Sequence, residues 1–177
     1  MMRRLLILVL MLAGLASSPA FASREEAAAA YKQGTQQLMW GEYAKARGTL
    51  NSAIKADQDW APPYTALTMA LLELGDGQGA AMQIEKARKL GVKPEASNHL
   101  LAFAWVLQDR PKEALALVES GKIDSKFKGY AARVRAIVHE RLEDMDAAGA
   151  AYDDAVNTDG TIRGLWGDVA SFRYRRG

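Results

Sequence analysis

The sequence predicts an all-α fold, a solenoid of antiparallel helix pairs with about four repeats and a single terminal helix. Residue types recur every 34 positions without insertion or deletion, and within each period the apolar residues fall at helical spacing. A period in this range marks an array whose units bury their apolar faces by stacking on neighbours. Framed from Ala27, the repeats are 27–60, 61–94, 95–128 and 129–162, and the terminal helix is 163–176.

Ahead of the array, Arg3 and Arg4 form a short basic region, residues 5–16 an unbroken small-or-apolar run, and Ala20-Phe21-Ala22 a small-x-small site. This layout predicts a secretory signal over 1–22, cleaved to leave Ser23 first. The run is too short for a bilayer span, which takes roughly 20 residues. No later stretch reaches that length, so no membrane anchor is expected after cleavage. The chain has 23 basic and 21 acidic residues. Losing Arg3 and Arg4 balances the two, which argues against a nucleic-acid partner. There is no cysteine, hence no disulfide framework, thiol catalysis, thiolate metal site or lipid-bearing cysteine.

Each repeat reads as two helices, with pairs expected at 27–57, 61–90, 95–120 and 129–157. In the first helix, positions four, seven, eight and eleven form one stripe, such as Tyr64, Leu67, Thr68 and Leu71. Small residues recur at position eight (Gly34, Thr68, Ala102, Ala136, Ala170) and position twenty (Ala46, Ala80, Ala114, Ala148). They recur again at position twenty-seven (Ala53, Ala87, Gly121, Ala155), with a larger residue at twenty-four (Leu50, Ile84, Val118, Tyr152). Small residues let two helix backbones approach, and the larger one fills the space beside them. Gly41 and Gly75 at position fifteen suit the left-handed residue that commonly ends a helix. Pro62, Pro63 and Pro111 sit where a helix starts and the lost N–H had no partner.

The stretch "AYKQGTQQLMWGEYAKARGTLNSAIKAD" (30–57), through Gly34, Gly41, Tyr43, Ala46, Leu50 and Ala53, resembles the tetratricopeptide repeat. The resemblance covers essentially all of 23–177 and implies a right-handed superhelix. Three features depart from the pattern. Position thirty-two is never proline, "GKIDSKFKG" (121–129) makes a longer polar connection after repeat three, and repeat four carries Arg135 and His139 where apolar residues are usual. The terminal segment "TIRGLWGDVASFRYRRG" (161–177) matches the first helix of a fifth repeat. It is expected to fold back on the fourth pair as a solvating cap that buries Trp166 and Val169. A longer array of which this is one piece is the competing expectation.

No catalytic constellation stands out. His99 and His139 occupy different repeat positions with no carboxylate at ligand spacing. "NTDG" at 157–160 imitates part of a calcium loop, but Ala155 and Trp166 stand where its acidic ligands belong. Asp153 and Asp154 are adjacent and diverge on a helix. The glycine cluster "GDGQGAA" (75–81) joins two helices and follows no strand, so it reads as a turn. No enzyme activity, metal or cofactor is therefore expected.

The resemblance implies that the first helices line a concave binding surface. Positions two, five, nine, twelve and thirteen then supply the partner-binding residues Tyr31, Met39, Met69, Leu72, His99, Phe103, Leu107 and Arg133. Some tetratricopeptide proteins clamp a terminal carboxylate with Lys, Asn and Arg at such positions. Here Ala28, Tyr31, Pro62 and Thr65 stand in those places, and that clamp is absent. An apolar groove suits a partner helix or a hydrophobic peptide. The expected function is an exported, non-catalytic interaction scaffold or adaptor in the periplasm of a Gram-negative bacterium, bound to another envelope protein. The alternatives are a structural N-terminal arm of a larger envelope protein with no ligand of its own and, last in order, an enzyme whose site follows no recognised motif.

Overall fold

A computed structural model describes residues 19–176, and the export signal expected over 1–22 falls almost wholly outside them. Nine α-helices follow one another among the described residues, with no strand. They are α1 (Pro19–Met39), α2 (Tyr43–Ala56), α3 (Ala61–Glu73), α4 (Gly77–Lys89), α5 (Asn98–Leu107), α6 (Pro111–Glu119), α7 (Lys128–Arg141), α8 (Met145–Asp159) and α9 (Leu165–Arg176). Successive helices pack as pairs, α1 with α2 through α7 with α8, and each pair stacks on the next. The first helix begins well before Ala27, where the repeat frame starts.

The recurring small residues are the contact points of these pairs. Ala46, Ala80, Ala114 and Ala148 have no exposed surface at all. In the first pair, a Cβ added to Gly34 would stand 2.6 Å from Leu50 Cγ. A larger side chain at position eight or twenty would therefore force one helix off the other.

The turn inside each pair uses a single geometry four times. Gly41 and Gly75 take φ of 76° and 78°, and the non-glycine residues at the same position, Asp109 and Glu143, follow at 58° and 62°. In every case the residue after it donates its N–H back to the last turn: Glu42 to Gln37 O, Asp76 to Leu71 O, Arg110 to Trp105 O, Asp144 to His139 O. This is the left-handed helix ending, and it satisfies carbonyls that the helix end would otherwise leave open. Asp76 and Asp144 then cap α4 and α8 through their carboxylates, accepting from Gly79 N at 2.7 Å and Ala147 N at 3.2 Å.

Regularity breaks after α6, which ends at Glu119. The connection over 120–127 is tied to the start of repeat three: Asn98 Nδ2 donates to Lys122 O at 2.7 Å, and Asp124 N to Glu95 O at 3.0 Å. Arg88 anchors the same corner by donating to Ser97 Oγ at 2.8 Å and Asn98 Oδ1 at 2.7 Å. These bonds carry Phe127 onto His99, their rings stacked 4.1 Å apart.

The terminal helix corrects one expectation. α9 buries Leu165, Val169 and Phe172, at i, i+4 and i+7, against α7 and α8. Trp166 is 56% exposed, one residue off that stripe, and its ring N–H donates to Gly160 O at 2.9 Å. The helix packs on the fourth pair, but Leu165 and Phe172 join Val169 in seating it, in place of Trp166.

Candidate functional site

The first helices do line a depression, and it has two apolar lobes. One, of about 470 Å³, lies between α1 and α3 and is walled by Tyr31, Leu38, Pro62, Met69 and Val92. The other, of about 380 Å³, runs from Leu38 and Tyr43 across to Phe127, Tyr130 and Ile162. Leu38, Met39 and Met69 belong to both. Met39 is 68% exposed and Met69 45%, so two flexible thioethers form the saddle between the lobes. Methionine adapts its shape to varied apolar surfaces, which suits a peptide site more than a rigid pocket.

The floor of the second lobe is polar. Glu73 faces it with its carboxyl pKa raised, chiefly by burial, while Arg133 and Arg163 pull it back down. Beneath Glu73, Arg133 is 4% exposed and spans three helices. Its Nε donates to Asp168 Oδ2 of α9 at 2.6 Å, and its Nη1 stands 3.9 Å from Glu73 Oε1 of α3. Nη1 has no hydrogen-bond acceptor among the described residues. The guanidinium also lies over the rings of Phe103 and Tyr130, at 5.5 and 5.7 Å. Gly164, at φ 80°, lets the backbone pass here; a Cβ there would meet Arg133 Nη2 at 2.8 Å.

One wall comes from the far end of the array. The Arg163 guanidinium, in the loop between α8 and α9, donates to the carbonyl of Met39 at the C-terminal end of α1. A cation at the negative end of a helix dipole is favourably placed. Repeat one and the last loop thus meet across the concave face.

Of the residues expected to contact a partner, Tyr31, Met39 and Met69 line the lobes. Five others do not line either lobe. Leu72 is 2% exposed and Phe103 9%, both in the main core, and Leu107 packs against that core beside Gly77. His99 lies under Phe127 and Tyr130, 3% exposed, and Arg133 is the buried three-helix tie. For His99, Phe103 and Leu107 the physical reason is that α3, α7 and the 120–127 connection enclose α5, so the side of it expected to face the groove is covered. Phe127, Tyr130, Ile162 and Arg163 replace them on the wall. Only the noted length of 121–129 hinted at Phe127, and nothing periodic signals Ile162 or Arg163.

The described residues contain no group of three or more His, Asp or Glu placed to hold a metal ion. No helix among them is long and apolar enough to cross a membrane. The site offers shape, apolar surface and a desolvated ion pair, which are the means of binding.

No protein-family model and no curated protein sequence matches the chain. Solved structures do. A thermophilic tetratricopeptide protein of Thermus thermophilus matches with a TM-score of 0.62 at 16% identity, over 85% of this chain and 82% of that one. YrrB, described as a tetratricopeptide protein with an unusual peptide-binding site, matches with a TM-score of 0.51 at 15% identity, over 89% of this chain and 81% of that one. The chain therefore has the tetratricopeptide-like fold, an all-α solenoid of consecutively packed helix pairs.

Proposed function

We propose that this chain is a non-catalytic interaction scaffold that seats a hydrophobic peptide segment of another protein across its two-lobed depression. The observation that carries the reading is the exposed Met39–Met69 saddle joining two apolar lobes on the concave side. Exposed contiguous apolar surface on a water-facing protein marks a contact site. Arg163 and the 159–163 loop bound the second lobe at one end, which favours side chains of an extended segment over a whole helix. YrrB's described peptide-binding site supports a peptide as the ligand class. Export to the periplasm belongs to the same proposal and rests on the residue pattern of 1–22.

Selection from a displayed random-peptide library tests the binding. Enriched peptides should be apolar, and Met69→Glu should weaken them by about tenfold or more, equal to about 1.4 kcal/mol, with an unchanged melting curve. Peptides that bind wild type and both Met39→Glu and Met69→Glu equally well would refute the groove. For export, intact mass of the exported protein should begin at Ser23; a species retaining Met1 there would refute that half.

A further inference from the structure

The two lobes of the depression differ in charge. The first has no charged side chain in its wall. The second has four: Glu73, Asp159, Lys126 and Arg163. Three of these have partners of their own. Asp159 accepts from Thr161 N at 3.0 Å and from Thr161 Oγ1 at 2.6 Å. Lys126 stands 3.7 Å from Asp124 and over the Phe127 ring, with most of its side chain in water. Arg163 donates to the Met39 carbonyl. Glu73 is left short. Arg133 gives its hydrogen bond to Asp168 at 2.6 Å and stands 3.9 Å from Glu73. One guanidinium thus serves two carboxylates, and the cluster of three keeps one negative charge. Burial and Asp168 raise the Glu73 pKa by more than Arg133, Arg163 and Tyr43 lower it, so the uncompensated charge falls on Glu73. An anionic ligand cannot use the donor that Arg133 leaves unpaired, because its Nη1 has less than 1 Å² of open surface.

We infer that the second lobe selects a basic side chain, lysine or arginine, at one position of an otherwise apolar bound peptide, with Glu73 as the specificity-determining residue. The inference rests on the peptide reading above and deepens it. Leu38, Met69 and Ile162 offer the methylene stem an apolar wall, while the charged head reaches Glu73. Long basic side chains divide themselves in this way between apolar surface and a polar end. A cation there brings the Glu73–Arg133–Asp168 cluster to two positive and two negative charges. The uncharged first lobe takes the apolar part of the peptide, so the basic position is confined to one end of the depression.

The probe is one apolar peptide from the library selection, resynthesised with lysine, norleucine, glutamine or glutamate at each position in turn. Norleucine keeps the lysine stem and lacks only the ammonium. Fluorescence anisotropy reads the affinity. At one position lysine should bind about fivefold more tightly than norleucine, the upper range for an ion pair that keeps some exposure. Glutamate should bind more weakly than either. Glu73→Gln should bring the lysine-to-norleucine ratio to about one, and Asp159→Asn, at an exposed carboxylate, should leave the ratio as it is. The wild-type scan decides the matter even where Glu73→Gln loosens the fold. Peptides that bind with no position preferring lysine, or that accept glutamine equally well there, overturn this inference and leave the groove standing. A preference that survives Glu73→Gln, or that vanishes in Asp159→Asn, overturns it as well. Failure of every peptide to bind overturns the groove and this inference together.

Discussion

Glu143 carries the left-handed backbone of its turn at φ 62° with a full side chain, where Gly41 and Gly75 carry theirs with none. A non-glycine residue pays roughly 1–2 kcal/mol for that conformation, less when a short Asp or Asn occupies it. Glu143→Gly should therefore raise stability by about 1 kcal/mol, and Asp109→Gly by less; equal or opposite shifts in urea midpoints would contradict this. His99 makes a prediction in pH. Burial lowers its pKa from the ordinary 6.5 to about 4, and the nearby Asp124 only partly offsets that. The unfolded chain thus takes a proton that the folded chain refuses. Stability is fully present above pH 6.5 and falls as pH drops towards 4, by about 3 kcal/mol at 1.36 per unit. His99→Phe, keeping the ring contacts with Phe127 and Tyr130, should flatten that part of the stability–pH profile. A profile as steep as wild type would place the acid sensitivity elsewhere.

Among the elements, α9 depends on one buried cation. Arg133 ties it to α7 through Asp168 and reaches α3 through Glu73. Removing one partner of a buried pair costs roughly 3–5 kcal/mol, because the charges left behind stay desolvated. Both carboxylates keep some exposure, so Arg133→Ala should lose about 3 kcal/mol, with exchange at 165–176 rising before that of α3 or α4. Uniform loosening of all helices would show that Arg133 is merely core filling. The helix pairs and their turns were legible in the sequence because Ala46, Ala80, Ala114 and Ala148 must be small wherever two helices touch. Which flank of each first helix faces the groove was not, since that depends on curvature accumulated between pairs. Phe103 and Leu72 consequently moved into the core, and Trp166 moved out of it. Phe127 and Arg163 reach the site from segments without a helical period, where residue spacing carries no directional information.

For the whole molecule, the contact between Arg163 and Met39 is the departure from a simple stack. In an open array each unit touches only its neighbours, and stability sums over local terms. Here the first and last parts of the molecule also touch directly. Arg163→Ala should cost only about 1 kcal/mol, the net value of one such bond. It should nevertheless separate the unfolding transitions followed at Trp40, beside that contact, and by far-UV circular dichroism. Coincident transitions in the mutant would mean that the contact adds no cooperativity.

That same contact sets a rule for how this chain can diverge over evolutionary time. Open solenoids lengthen and shorten by duplicating or dropping whole units, since each new unit needs only two compatible neighbours. Duplicating α3 and α4 here would push the 159–163 loop away from α1 by roughly 10 Å or more, the spacing of packed helices. The second lobe would lose a wall, and Met39 its bond. Lineages that keep this groove should therefore hold the count between Met39 and Arg163 constant, and accept new units only outside that span.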